Sequence, residues 1–82
     1  MARVILTSGL GNQFCGGETE FNIDAADVRS LRTLLEVRFP GIKPELEREM
    51  AVAIDGEIYQ DPFLEKIASD SEVYFLPRVG GG

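Results

Sequence analysis

One apolar stripe decides most of what this chain can become. Val28, Leu31, Leu34, Leu35 and Phe39 recur at helical spacing on one face, while Arg29, Ser30, Arg32, Thr33 and Glu36 fall on the other. Asp24 is the expected N-cap, Asp27 suits the positive end of the helix dipole, Arg38 suits the other end, and Pro40-Gly41 stops the helix. A stripe of this width needs cover, and the other apolar residues are patterned mainly as strands, so a mixed sheet wrapped over the helix is the economical solution.

The strands can be read in order. Residues 2–7 and 18–24 are β-rich, separated by a glycine-containing segment from Leu10 to Gly17 that reads as a wide loop. After Pro40, Pro44 can open a short helical turn, and the β-like run from Ala51 to Asp55 follows. Asp55-Gly56 between apolar stretches predicts a type I′ hairpin that returns residues 57–60 onto that run. A connector with one helical turn at most spans 61–69, and residues 72–77 form the last strand. The near-continuous apolar runs at both ends of the order predict that the first and last strands lie adjacent and parallel in the sheet centre.

Charge and residue inventory exclude whole function classes. With 82 residues there is room for one domain. A net charge of −6 repels phosphate backbones and anionic headgroups, so neither nucleic acid nor a membrane is an expected partner, and no apolar run approaches the roughly 20 residues of a membrane span. With no histidine, the common serine and cysteine triads cannot be assembled. Cys15 is the sole cysteine, so an internal disulfide or a CxxC pair is excluded. Met1 to Val4 lack a signal-peptide layout, and the expected compartment is the cytoplasm.

Two glycine motifs fail on inspection. Gly9-Leu10-Gly11 begins like a dinucleotide fingerprint, yet Phe14 replaces the third glycine. The stretch from Gly11 to Gly16 has P-loop spacing, but Gly17-Glu18 stands where lysine and a hydroxyl must grip phosphate. Glu45, Glu47, Glu49, Asp70 and Glu72 read as a solvated acidic surface, and Cys15 as a loop or core-edge filler.

The C-terminus is the feature that packing does not explain. Gly80, Gly81 and Gly82 bury no apolar surface and lose more entropy on ordering than any other residue type. They read either as a frayed end or as a means to pass the α-carboxyl of Gly82 through a channel too narrow for side chains. Six residues from Pro77 reach at most roughly 20 Å. Residues 1–77 are thus expected to form the domain and 78–82 a flexible tail.

Taken with the strand order, the Asp55-Gly56 hairpin, the 72–77 strand and the terminus Pro77-Arg78-Val79-Gly80-Gly81-Gly82, the whole chain resembles the ubiquitin-like sulfur carriers, most closely the small subunit of molybdopterin synthase. That subunit typically ends Pro-Pro-Val, one small residue, Gly-Gly, so Arg78 stands where a second proline is usual. The resemblance implies an α+β fold of the β-grasp (ubiquitin-like) type, a mixed sheet on one main helix.

It also implies a chemistry. An E1-like enzyme would adenylate Gly82 with ATP, and a sulfur donor would then displace AMP to leave a thiocarboxylate. A large synthase subunit, or another sulfur-accepting enzyme, would receive the sulfur. No cofactor would be bound by this chain, since ATP and the sulfur donor act through the partner. Gly82 and Gly81 are the expected reacting end, and Arg78, Val79 and Gly80 would line the partner's channel. Ile58, Tyr74 and Leu76 are expected to form an apolar docking patch, if Val73 and Phe75 point at the helix. The alternatives are a ubiquitin-like interaction or conjugation module, or a carrier serving thiamine, cysteine or tRNA thiolation.

Overall fold

Alternation of Ala2 and Val4 with Arg3 sets the first strand, β1 (Ala2–Ile5), with the even positions buried and Arg3 exposed. The computed structural model describes residues 1–48, 50–59 and 65–77. Within them α1 (Ser8–Phe14), β2 (Glu20–Ile23), α2 (Val28–Arg38), α3 (Ile42–Arg48), β3 (Met50–Ile54), β4 (Glu57–Tyr59) and β5 (Glu72–Pro77) follow β1. The sheet order is β2-β1-β5-β3-β4. Parallel pairing of β1 with β5, Val4 against Val73, places the two ends of the chain's fold side by side in the centre, as expected. The other three pairings are antiparallel.

The core lies between one sheet face and α2. Val28, Leu31 and Leu35 of α2 meet Val4, Val52, Val73 and Phe75 of the sheet, and Ile42 and Leu46 of α3 close one end. The hairpin is as the sequence predicts: Asp55 (φ +49°) and Gly56 (φ +90°) both take the left-handed conformation that a type I′ turn requires.

Four expectations are corrected. The segment expected as a wide loop holds α1, seven residues long, capped by the Thr7 hydroxyl accepting the Leu10 N–H at 3.2 Å. Gly11 is buried in it for packing: a Cβ there would stand 2.6 Å from the Glu18 carbonyl oxygen. The N-cap of α2 is Asp27, not Asp24, and its carboxylate accepts the Ser30 N–H at 2.8 Å. The residues before it are held extended by a distant segment, with Ile67 N–H donating to the Ala26 carbonyl at 2.9 Å and Asp27 bridged to Lys66.

The stripe is also rotated from its expected centre. Leu34 is 42% exposed, whereas Arg32, expected outward, is 5% exposed. Finally, the turn at Pro44 is a full helix that begins at Ile42, its start bound by the Glu36 carboxylate, which accepts the N–H groups of Gly41 (2.8 Å) and Lys43 (2.9 Å). Those bonds hold Glu36 below the usual carboxylate range. Glu49 and residues 60–64, on which the expected end of the return strand and part of the expected connector fall, lie outside the described residues.

Candidate functional site

The sheet has one face on α2 and one open face, and β5 supplies both. Val73 and Phe75 are buried in the core, so Tyr74 and Leu76 project from the open face, where Tyr74 is 37% exposed and Leu76 half-buried. Register then builds a row across the sheet. Tyr74 pairs with Ala53, and Ala53 pairs with Ile58, which is 61% exposed. Leu76 pairs with Ala51 in the adjacent row. The three predicted patch residues therefore share one surface.

Residues not singled out in the sequence complete it. Ala51 and Ala53 are buried although they belong to the open face, because their methyl groups sit low between larger neighbours on adjacent strands. They lie between Ile58 of β4 and Tyr74 and Leu76 of β5 and form the low middle of the row. Small residues at alternate positions of β3, interleaved with Val52 and Ile54, are its sequence signal. On the other side of Tyr74, Ile5 of β1 extends the row.

Charge borders this patch at the end far from Pro77. The Arg3 guanidinium bonds Glu20 of β2 at 2.5 Å and Glu72 of β5 at 2.7 Å, spanning three strands. The Glu20 contact is the main cause that pushes the Arg3 pKa up and the Glu20 pKa down. On the opposite face of β4, beside Val52 and Ile54, the Tyr59 hydroxyl donates to Glu57 at 2.7 Å, a bond that raises the phenol pKa. The Glu20 and Glu72 carboxylates that border the apolar row are thus engaged by Arg3, and the apolar row itself is left open.

β5 runs through this surface to Pro77, which pairs with Met50. Arg78, Val79, Gly80, Gly81 and Gly82, the expected channel-lining and reacting residues, lie outside the described residues. Cys15 is half-buried against the core, away from the open face, and burial pushes its thiol pKa up. Among the described residues no three His, Cys, Asp or Glu side chains are grouped to hold a metal ion. No helix among them is long and apolar enough to cross a membrane.

The sequence profile described as ThiS family matches residues 13–82, a span that includes the diglycine end. No curated protein sequence matches the chain. Among solved structures, a chain in the crystal structure of the Amycolatopsis orientalis BexX/CysO complex superposes with a TM-score of 0.84 at 23% identity, covering 100% of both chains. The crystal structure of Mycobacterium tuberculosis CysO, an antigen, gives 0.83 at 19% identity, covering 96% of this chain and 100% of that one. These likenesses establish the β-grasp fold.

Proposed function

The chain belongs to the ThiS family of ubiquitin-like sulfur carriers, and from that premise we propose that it carries sulfur as a thiocarboxylate on the C-terminal carbon of Gly82. The observation that carries this reading is the extent of the family match, which runs through Gly82 itself. It is supported by the placement of an apolar patch on the strand that leads into the tail.

The chemistry follows from what a carboxylate lacks. An α-carboxyl with a pKa of about 3.5 is ionised at neutral pH and resists nucleophilic attack. Adenylation by a partner forms the Gly82 acyl-adenylate and releases pyrophosphate. Hydrosulfide supplied by the donor then attacks the acyl carbon, the bond to the AMP oxygen breaks, AMP leaves with the electron pair, and loss of the thiol proton gives the thiocarboxylate. The product thiocarboxylate delivers its sulfur to an acceptor on a second protein. ATP and donor act through the partner, and this chain supplies the acyl group, the tail and the docking face.

Docking puts Ile58, Tyr74 and Leu76 against the adenylating enzyme. Ile58, 61% exposed, has the most apolar surface to give up on docking, up to about 2 kcal/mol, and the partly covered Tyr74 and Leu76 contribute less. Arg78, Val79 and Gly80 then occupy the channel, and Gly81 passes the narrowest point.

The pathway served is molybdopterin formation, a reading supported by Pro77 and Val79 ahead of the glycines. A second reading, delivery of sulfur for cysteine synthesis, is favoured by the likeness to two structures described as CysO. The test is intact mass. Protein isolated from its own cells without reductive or acidic work-up should carry one oxygen-to-sulfur exchange at the C-terminus, and a uniformly unmodified terminus would remove the carrier reading. Deletion separates the pathways: loss of molybdopterin favours the first, and a requirement for cysteine the second.

A further inference from the structure

A second surface, remote from the open sheet face, has the features of a strand-addition site. β2 is an edge strand, paired only with β1 among the described residues. Leu6 N–H donates to the Thr19 carbonyl at 2.8 Å, which fixes the phase of the antiparallel ladder. Thr19, Phe21 and Ile23 spend their backbone groups on β1, so the N–H and C=O of Asn22 point outward along the free edge. The edge is short and flanked by Glu18, Glu20 and Asp24, which disfavours pairing with a second acidic strand and leaves the Asn22 backbone groups open to a complementary one.

Beside this edge runs a groove of about 310 Å³, walled by Asn22, Ile23 and Asp24 on the strand and by Leu34 and Arg38 on α2. Leu34 is the residue that the rotated helix stripe leaves exposed. Arg38 is held in place by aromatic faces, its guanidinium carbon 5.0 Å from the Phe21 ring centre and 5.6 Å from that of Phe39. It makes no ion pair among the described residues. The groove is therefore polarised, with a cation at the Phe21 end, an apolar floor in the middle, and Asp24 at the other end.

We propose that this groove binds an extended segment of another protein, added antiparallel to β2 through the backbone of Asn22, with an apolar side chain on Leu34 and Ile23 and a carboxylate on Arg38. Strand addition draws its affinity from the edge hydrogen bonds and its specificity from alternate side chains, and here the alternate positions that face α2 meet Leu34 and Arg38 in turn. An apolar residue and an acid two positions apart, with a cation at the Asp24 end of the segment, is the complementary pattern. A second copy of this chain is the poorer occupant. A two-fold pairing of β2 centred on Asn22 sets Glu20 opposite Asp24, and one centred on Phe21 sets Glu18 opposite Asp24, in each case on a molecule that already carries −6. The proposal does not depend on sulfur carriage, because the groove and the open face lie on different sides of the sheet.

The probe is the capped peptide Lys-Thr-Ile-Thr-Asp, titrated into isotope-labelled protein and followed by amide chemical shifts. Shifts should concentrate at Asn22, Ile23, Leu34 and Arg38, and exchange of the Asn22 amide should slow. Leu34→Lys and Arg38→Glu should each weaken binding about tenfold or more, as should lysine in place of the peptide's aspartate. Asn22→Pro removes an outward donor that β1 does not use, so it should abolish binding in a protein that stays folded. Shifts confined to Ile58 and Tyr74, affinity unchanged by Asn22→Pro, or no shift at Asn22 with millimolar peptide would each overturn the proposal. So would a concentration-dependent dimer in sedimentation that Asn22→Pro dissolves, since β2 would then serve a second copy.

Discussion

Asp55 and Glu72 bond each other twice: the Asp55 N–H donates to the Glu72 carbonyl at 2.9 Å, and the Glu72 N–H donates to the Asp55 carboxylate at 3.0 Å. The Ser71 hydroxyl also donates to that carboxylate, at 2.8 Å. The β3–β4 turn is thereby fastened to the start of β5, the strand that carries Tyr74 and Leu76 of the apolar row.

The Glu72 N–H and Ser71 hydroxyl bonds favour the ionised form and hold the Asp55 carboxyl below its usual range. A depressed folded value means that the contribution of Asp55 is fully present above the unfolded value of about 3.9 and is lost as pH falls through the folded one. Asp55→Asn keeps an acceptor and tolerates the left-handed backbone, so it isolates the charge. The variant should be less stable at neutral pH and should show a shallower loss of stability below about pH 4. Urea midpoints measured across acid pH provide the check, and parallel curves for parent and variant would show that the charge plays no part.

Gly9 and Gly11 both sit in α1, yet their substitution should act in opposite directions. A methyl at Gly9 meets only the Thr7 hydroxyl at 3.9 Å, so Gly9→Ala should stabilise by up to about 1 kcal/mol through backbone entropy. A methyl at Gly11 would lie 2.6 Å from the Glu18 carbonyl oxygen and 2.7 Å from the Thr19 methyl, so Gly11→Ala should destabilise by about 1–3 kcal/mol. Equal signs in urea unfolding would contradict the packing assigned to α1.

The same pair explains what sequence could and could not disclose. The Asp55-Gly56 hairpin was legible because its signal is local: both turn residues must take positive φ, and both types permit it. α1 was not, since glycine lowers helix propensity and Gly11 is there for a backbone approach set by Glu18 and Thr19. Choosing Asp27 over Asp24 as the cap depended on Glu65, Lys66 and Ile67, some 40 residues away, which hold the chain extended up to Asp27. The period of α2 was readable, but which edge of its stripe would be covered was decided by what packs there. Hence Leu34 emerged and Arg32 was buried. For the docking face, strand parity placed Tyr74 and Leu76, whereas Ala53 joined the site only through cross-strand register.

Substitutions on β5 and on β4 should separate docking from folding. Phe75→Ala removes a fully buried ring and should cost about 3–5 kcal/mol, a large part of the stability of a domain this size. Ile58→Asp changes an exposed side chain and should leave the thermal midpoint nearly unchanged while abolishing capture by the adenylating enzyme. Leu76→Asp should do the same with a modest loss of stability, because that side chain is half-buried. Undiminished binding by both aspartate variants would move the docking face elsewhere on the domain.

Cys15 should be dispensable. Burial raises its pKa, with Glu18 adding to the effect, so at neutral pH the thiol is protonated and a weak nucleophile. Cys15→Ser should load sulfur at the parental rate, and the native thiol should react slowly with iodoacetamide until the protein is unfolded. Loss of loading in a variant with a native circular dichroism spectrum would instead make Cys15 a relay thiol.

The most demanding prediction concerns the end of the chain. If the carbon that reacts is that of Gly82, then deleting this residue, or adding one after it, shifts the reacting carbon by a residue length of about 3.5 Å, whereas in-line attack tolerates well under about 1 Å of misplacement. Both changes should therefore abolish activation by the adenylating enzyme. Gly81→Val should fail as well, because a β-branched side chain narrows the accessible backbone and adds bulk where the channel admits none. None of the three should alter the thermal midpoint, since each lies beyond the last residue of β5, Pro77. Each variant is incubated with the adenylating enzyme, ATP and a sulfur donor, and the mass gain of an oxygen-to-sulfur exchange is measured. Should the chain lacking Gly82 gain sulfur as readily as the parent, the reacting group is not the C-terminal carboxylate, and the fold serves as an interaction module instead.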